Sequence, residues 1–395
     1  MASRLAFSRA LAFAAALLAT VVAGCGGGVD SGGTGAPATS FASGPITGFG
    51  SVIVNAVHYD DSAATVRDGN GALRSRNDLR LGMTIDVRGS AIGTDSSGHA
   101  ASTASSIVFA SAIVGPVAAN DVAGRTLIVL GQPVDMAAST VFAESLVGGQ
   151  AAIAVGSIVE VYATLDAATG RYAATRVEAK GIGTPFSLRG IVAALDTVTR
   201  TFSFGALRIS YAGVAAVPPT LANGRFIRVS LAAVPGAGGI WPATALVDGA
   251  PPIEDHDEAK LEGRVSAFTS LAVFSVDGRP VDARNARIEG EGLALGARVE
   301  VEGTISAGVL VASRVKVEDE DDDENEEFEV RGPIVSIDRT AKTFVVREVT
   351  VSYEGNVDFR GGSAADLAVG RGVEARGRLT NDGTRLAAER IEFKD

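Results

Sequence analysis

Residues 44–55, GPITGFGSVIVN, open on a glycine and continue as an apolar run that is typical of a β-strand. Similar segments recur as IVGPVAAND at residues 113–121 and VRGPIVSID at residues 330–338. Self-similarity at long intervals predicts a chain built from repeated units. Glycines that open a strand recur at intervals of 69 to 75 residues, and these are Gly44, Gly115, Gly190, Gly263 and Gly332.

Two further patterns recur within each interval. An apolar residue and then a glycine precede an alternating strand, as in LGMTIDV at residues 81–87 and LGARVEV at residues 295–301. A small residue followed by an apolar strand comes next, as in ASSIVF at residues 104–109. The glycine of the first pattern is either a plain turn residue, the simpler interpretation, or a site of positive φ or close backbone approach. These glycines are Gly82, Gly156, Gly224, Gly296 and Gly370.

Composition and periodicity predict an all-β fold. Glycine is abundant at 48 residues, aromatic residues make up 6% of the chain, and period-two alternation is plain in RVEVEG at residues 298–303. Residues 328–395 divide into five strands with a short helical turn between the third and fourth, which is the plan of an OB-like barrel. The sequence therefore predicts a tandem array of five small OB-like β-barrels, or five-stranded sandwiches, strung along the chain.

The repeats set the expected boundaries. A signal peptide occupies residues 1–24, and a lipidated cysteine with a Gly/Ser-rich tether occupies residues 25–42. The expected modules are residues 43–110, 111–181, 184–249, 259–317 and 328–395, with an acidic and proline-containing linker at 250–258 and an acidic linker at 318–327.

The N-terminus predicts export and lipid anchoring. Arg4 and Arg9 precede an apolar run that ends at Cys25, the only cysteine of the chain. The residues Val22–Cys25 resemble the lipobox of bacterial lipoproteins, which implies acylation of Cys25. Because Gly26 and not an aspartate follows, an outer-membrane location is expected, facing the periplasm or the cell surface.

Charge argues against a nucleic-acid partner and raises the question of calcium. The chain has a formal charge of −11, which disfavours binding to phosphates. The run EDEDDDENEE at residues 318–327 is typical of a solvated linker. Its alternative is a weak Ca²⁺ site, because Asp319, Asp321, Asp323 and Glu324 supply carboxylate oxygens, although Glu324 stands where an EF-hand loop needs glycine.

The sequence resembles a known family. GPITGFGSVIVNAVHYD from Gly44, LRLGMTIDVRG from Leu79, and GPV with VLGQPV in the second module are similar to bacterial lipoproteins built from the domain of unknown function numbered 5666. The resemblance extends over residues 43–393 and is weakest in the third module. It implies exported, repeated β-modules and no established activity.

No motif specifies a reaction. His58, His99 and His256 fall in separate parts of the chain, and the single Ser-x-x-Lys match, Ser313 to Lys316, lies on a predicted strand without its companion motifs. We therefore expect no catalytic residues and no cofactor, and a non-enzymatic spacer or protein-binding scaffold at the envelope. The alternative is a module that binds glycan or Ca²⁺, and an enzyme is a third hypothesis.

Overall fold

The computed structural model describes residues 37–319 and 326–394. These residues form β-strands joined by turns and short 3-10 turns, without an α-helix. No helical segment in these two ranges is long and apolar enough to cross a membrane. The predicted all-β class is confirmed, and the sheets are folded into small closed five-stranded barrels.

Residues 113–180, called set B, show how a barrel closes. β10 pairs with β11, β11 with β12, β12 runs parallel to β14, β14 pairs with β13, and β13 returns to β10. Every strand therefore has two neighbours, and no edge of this sheet is left open within the set. The strands are β10 Ile113–Asp121, β11 Thr126–Val129, β12 Gln132–Phe142, β13 Ile158–Asp166 and β14 Arg171–Lys180, with a 3-10 turn at Gly149–Ala152.

Residues 39–109, set A, follow the same order of pairing, but the strands are broken into shorter pieces. β1 pairs with β7 and its continuation β2 with β3, while β9 runs parallel to β4 and β5 and antiparallel to β7. The strands are β1 Thr39–Pro45, β2 Gly48–Phe49, β3 Val52–Val54, β4 Val57–Asp60, β5 Thr65–Asp68, β6 Leu73–Arg74, β7 Thr84–Ser90, β8 Gly93–Thr94 and β9 Ala100–Phe109, with a 3-10 turn at Arg76–Asp78.

Residues 186–248, set C, and 256–317, set D, repeat the order, with the strand at Leu207–Ser210 parallel to the last strand of set C and the strand at Arg279–Asp282 parallel to the last strand of set D. Set C has β15 Phe186–Ile191, β16 Ala193–Asp196, β17 Thr201–Phe204, β18 Leu207–Ser210, β19 Phe226–Leu231 and β20 Trp241–Asp248, with a 3-10 turn at Ala237–Gly239. Set D has β21 His256–Ser270, β22 Val273–Val276, β23 Arg279–Asp282, β24 Arg287–Glu289, β25 Arg298–Ser306 and β26 Val309–Val317.

Residues 328–394, set E, contain the expected short turn between the third and fourth strands. It is a 3-10 turn at Ala364–Asp366 capped by Ser363 and Asp366. The strands are β27 Phe328–Pro333, β28 Ser336–Asp338, β29 Thr343–Val346, β30 Val349–Ser352, β31 Asp358–Arg360, β32 Gly372–Leu379 and β33 Leu386–Lys394. The sequence predicts one strand over 343–353, but Arg347 and Glu348 have positive φ and make a hairpin there.

The glycines that precede the alternating strand, such as Gly82 and Gly156, have the same conformation in every set. The five φ values lie between +76° and +88°, a region that L side chains rarely adopt. Each glycine N–H donates at 2.8 Å to a carbonyl within or directly after the first strand of its set, for example from Gly82 to Ile46 and from Gly156 to Val117. This bond fastens the start of the fourth strand to the bend of the first, and the special geometry is the reason that the glycine recurs.

Strands of different sets also pair, which the expected string of modules does not include. β1 runs parallel to β21, β2 runs parallel to β27, and β10 pairs with β15. Residues 256–258, predicted to lie in a linker, belong to β21, and Glu258 pairs with Ser40 of β1. Asp257 Oδ2 accepts a hydrogen bond from the Thr39 N–H at 2.9 Å, and Glu258 Oε2 accepts one from the Ile92 N–H at 3.0 Å.

The apolar cores cross the boundaries between sets. Sets B and C share one continuous cluster that includes Leu127, Val161, Leu188 and Ile227. A second cluster joins sets A and E, and Phe41 of set A lies in the cluster of set D. Because packing and strand pairing both connect the sets, residues 37–319 and 326–394 belong to one contiguous unit.

Candidate functional site

A cavity of about 490 Å³ opens where sets A, B and C meet. That volume is within the usual range for sites that hold a small molecule. The lining combines aromatic and apolar side chains, including Phe109 and Phe186, with four acidic and four basic side chains. The charged residues are Asp68, Asp78, Glu160, Glu178, Arg74, Arg80, Lys180 and Arg228.

Most of these charges are already paired. Lys180 Nζ lies 2.6 Å from Glu160 Oε2 and 2.9 Å from Glu178 Oε2, and Arg74 Nη2 lies 2.6 Å from Asp68 Oδ2. Burial alone would raise the pKa of Glu178, but Arg176 and Lys180 outweigh it and hold that pKa below its usual value. Glu178 is therefore ionised at neutral pH, and neighbouring cations balance its charge.

Arg228 is the exception within the described part of the cavity. Its Nη1 atom is buried without a hydrogen-bond partner, and burial lowers the pKa of its guanidinium. A Cβ at Gly69 would lie 1.8 Å from Nη1, so the guanidinium packs against Gly69 in space that a larger residue would fill. The hydroxyl of Ser111, also on the wall, is buried without a partner. Two unpartnered donors among the lining residues of one cavity are suited to an anionic oxygen.

A second polar cluster lies between sets A and E. The rings of His58 on β4 and His99 beside β9 are stacked, with centroids 4.6 Å apart and planes 6° apart. Asp95 Oδ2 lies 3.5 Å from His99 Nδ1, while Asp95 Oδ1 accepts from the N–H groups of Ser97 and His99. Burial and then the neighbouring His99 lower the pKa of His58, which keeps its ring neutral at pH 7.

Arg376 of set E fixes the tautomer of His99. Its Nη2 atom lies 3.3 Å from His99 Nε2, and a guanidinium can only donate. Nε2 is therefore the acceptor, so in the neutral ring Nδ1 carries the proton and faces Asp95. Arg376 is held in turn by Glu329 and Glu374, each at 3.0 Å.

The structure thus brings together two histidines that the sequence assigned to separate places. The third, His256, lies in the seam between sets A and D, where its Nδ1 is 3.1 Å from Thr39 Oγ1. The parallel pairing of β4 with β9, with His58 opposite Ala101, places the His58 and His99 side chains close together. Only the register of that pairing could have revealed the cluster.

The other residues singled out from sequence have plainer places. Ser313 and Lys316 lie on β26 as expected, where Ser313 Oγ donates to the Glu302 carbonyl and Lys316 pairs with Glu318 at 2.8 Å. Asp319 is exposed just after that strand. The remaining predicted site residues, namely Cys25, Asp321, Asp323 and Glu324, lie outside the described residues.

Comparison with protein families gives a match in three places. The model described as "Domain of unknown function (DUF5666)" matches residues 114–178, 262–316 and 331–392. Each matched segment lies within one set and covers most of its barrel. The three matches are consistent with repeats of the DUF5666 domain in this chain. The three matched segments correspond to sets B, D and E. The expected resemblance over residues 43–110 and 184–249 lies outside the matched segments.

A search of curated proteins found no match. The DUF5666 assignment therefore carries no activity, and function has to be argued from the geometry of the domains.

Proposed function

We propose that the protein is a non-enzymatic lipoprotein of the bacterial envelope and acts as a protein-binding scaffold made of five OB-like barrels, sets A to E. The supporting observation is the strand pairing between sets, above all β1 with β21 and β2 with β27. Modules fixed to one another present several similar surfaces in a constant arrangement, so weak contacts can add up to useful avidity.

Cys25 would supply the anchor, and the residues between Cys25 and β1 would supply a tether that is shorter than the sequence predicts, because β1 begins at Thr39. Acylation at the outer membrane would place the barrels in the periplasm or at the cell surface, where an envelope protein or a glycan is the expected partner. Metabolic labelling with palmitate tests the anchor. Label is expected on the wild-type chain and absent from Cys25→Ala, and label on the variant would contradict acylation at this residue.

The joint between sets A and D is where the scaffold can be tested. Arg279 of β23 reaches into set A, with Nη2 at 2.6 Å from Asp86 Oδ2 and Nη1 at 2.9 Å from Ser43 Oγ. Its guanidinium also lies 5.6 Å from the centre of the Phe41 ring. Removing one partner of a partly buried, hydrogen-bonded ion pair of this kind costs more stability than removing one partner of an exposed pair.

A double-mutant cycle measures whether this joint forms in solution. Arg279→Glu and Asp86→Arg should each destabilise the protein, and the double variant should recover part of the loss, with a coupling energy of about 1 kcal/mol or more. Arg284→Glu with Asp282→Arg is the matched control, because that exposed pair lies within set D. Strictly additive effects at residues 279 and 86 would mean separate barrels and would favour a spacer.

The cavity supports a second function, the binding of a small ligand that carries a carboxylate. Arg228 and Ser111 supply the unpartnered donors, and Phe109 and Phe186 supply apolar surface next to them. An acidic sugar has this chemistry, since its carboxylate can accept from the guanidinium while its ring packs on aromatic faces. This is the form that glycan binding would take in this cavity.

Galacturonate and galactose, which differ in the carboxylate, are the probes for this site. Calorimetry should detect galacturonate but not galactose, and Arg228→Gln should weaken binding at least about tenfold. Arg208→Gln is the control, because Arg208 is exposed on β18 of the same set. Equal binding of both sugars, or equal loss in both variants, would contradict the carboxylate site.

Weak Ca²⁺ binding by the acidic run at 318–327 is a separate proposal. It rests on the carboxylate density of Asp319, Asp321, Asp323 and Glu324. Calorimetry in physiological salt should give a heat of Ca²⁺ binding that disappears when the acids of the run are neutralised. An unchanged signal would contradict binding at this run.

A further inference from the structure

We propose that His58, Asp95 and His99 form a binding site for a divalent transition metal of the zinc class. Each residue offers one ligand atom, and these three atoms lie within 4.8 Å of one another. The barrel topology produces this approach. β4 and β9 are parallel neighbours, and the hairpin of β8 with β9 turns Asp95 back toward His99.

The donor set selects the class of metal. Two imidazole nitrogens and one carboxylate oxygen suit Zn²⁺, Ni²⁺, Cu²⁺ and Fe²⁺, whereas Ca²⁺ and Mg²⁺ prefer oxygen ligands. Three protein ligands also leave a coordination position for water or for a group from outside the chain. The site therefore differs in kind from the acidic run at 318–327, which holds carboxylates and no histidine.

The spacing between two of the ligands already fits an ion. Asp95 Oδ2 and His99 Nδ1 are 3.5 Å apart, and two ligands at about 2.1 Å from one tetrahedral ion are separated by about 3.4 Å. The His58 ring has to turn, because two stacked, parallel imidazoles do not point at a common ion. The His58 ring is half-buried and packs on His99, so rotation about its side-chain bonds gives up this ring stacking.

Metal binding at His99 Nδ1 moves the ring proton to Nε2 and breaks the contact with Arg376. Nδ1 carries the ring proton while Nε2 accepts from Arg376. An ion on Nδ1 requires the proton to sit on Nε2, which then has no lone pair for the guanidinium. Arg376 must leave His99, and it keeps its bonds to Glu329 and Glu374. Metal binding thus removes the contact of His99 with Arg376 between sets A and E, and coordination bonds form in its place.

The chain has only three histidines, which makes the test direct. The full chain, with Cys25→Ser to remove a competing thiol, is labelled with ¹⁵N-histidine and titrated with Zn²⁺ in a long-range ¹H–¹⁵N experiment. The imidazole signals of His58 and His99 should shift together and saturate at one equivalent, and those of His256 should stay in place. Calorimetry under the same conditions gives the affinity.

Three variants complete the test. His58→Ala should weaken Zn²⁺ at least about tenfold, and so should Asp95→Asn, which keeps the Oδ1 acceptor for the turn and loses the anionic ligand. His256→Ala is the matched control and should leave the affinity unchanged. Zinc that shifts all three histidines alike, shifts none at about a tenfold excess, or binds Asp95→Asn and His58→Ala as tightly as the parent chain would overturn the proposal.

Discussion

Titratable side chains buried in the seams between sets are compatible with the fold in only one protonation state. His256 is 8% exposed, with its Nε2 atom buried and without a partner, and its ring lies 5.8 Å from that of Phe41. Burial, and then Arg88, lower its pKa, while Glu254, Asp255 and Asp257 act in the opposite direction. The neutral ring is therefore the form that belongs to the seam between sets A and D.

A pH dependence of stability follows from the lowered pKa of His256. As pH falls through the unfolded-state value near 6.5, the unfolded chain takes up a proton that the folded chain resists, so stability is lost toward the folded pKa. Urea unfolding at pH 7.5, 6.5 and 5.5 should show this loss, and His256→Gln should make it smaller. An unaltered slope in His256→Gln would contradict the assignment.

At the scale of strands, the glycines that precede the fourth strand allow the effect of backbone strain to be measured separately from the effect of steric crowding. Gly156 has a φ of +88° and open space around the position of a Cβ, whereas Gly82 has a φ of +76° and a Cβ position 2.4 Å from the Thr175 carbonyl oxygen of set B. The first site demands a left-handed backbone only. The second demands in addition that two sets approach closely, a contact that Arg176 reinforces by donating to the Leu81 carbonyl at 3.1 Å.

Alanine substitutions should resolve these costs. Gly156→Ala should lower the free energy of unfolding by about 1–2 kcal/mol, the usual price of a left-handed alanine. Gly82→Ala should cost about 1–3 kcal/mol more, because overpacking against set B is added to the strain. Chemical denaturation of both variants measures the difference. Equal losses would mean that sets A and B do not touch in solution as the structure has them.

Strand alternation was predictable because it is local, and pairing between distant strands was not. The pattern of β25 can be read from its own residues, and Ala364–Asp366 could be expected as a short turn. The hairpin at Arg347 and Glu348 was missed because neither residue is glycine or proline. The histidine pair was missed for a related reason, since it depends on the register of a parallel contact and not on spacing along the chain.

For the whole molecule, shared cores predict that some sets lose stability together. Leu188 of β15 is fully buried in the cluster common to sets B and C, and it faces Ile113 across the pairing of β10 with β15. A cavity at this position weakens packing on both sides of the boundary. Sets B and C should accordingly behave as one cooperative unit, although the sequence predicts two modules there.

Hydrogen exchange with mass spectrometry tests this coupling. Leu188→Ala should cost about 2–5 kcal/mol and reduce protection in both β10–β14 and β15–β20. Leu386→Ala is the matched control, because that leucine is equally buried in set E, and protection in set C should be unaffected by it. Loss of protection confined to set C after Leu188→Ala would contradict a common unit.

The parallel contact of β1 with β21 also constrains the order in which the protein can be completed. Ser40 lies opposite Glu258, and Gly48 lies opposite Glu329, so the ribosome makes the first barrel long before the strands that cover it. Until then the outer edge of β1 offers unpaired backbone groups to any other extended chain. A nascent or prematurely ended chain therefore exposes a strand edge that can pair with other chains. In the complete chain, strands of the last two sets pair with this edge.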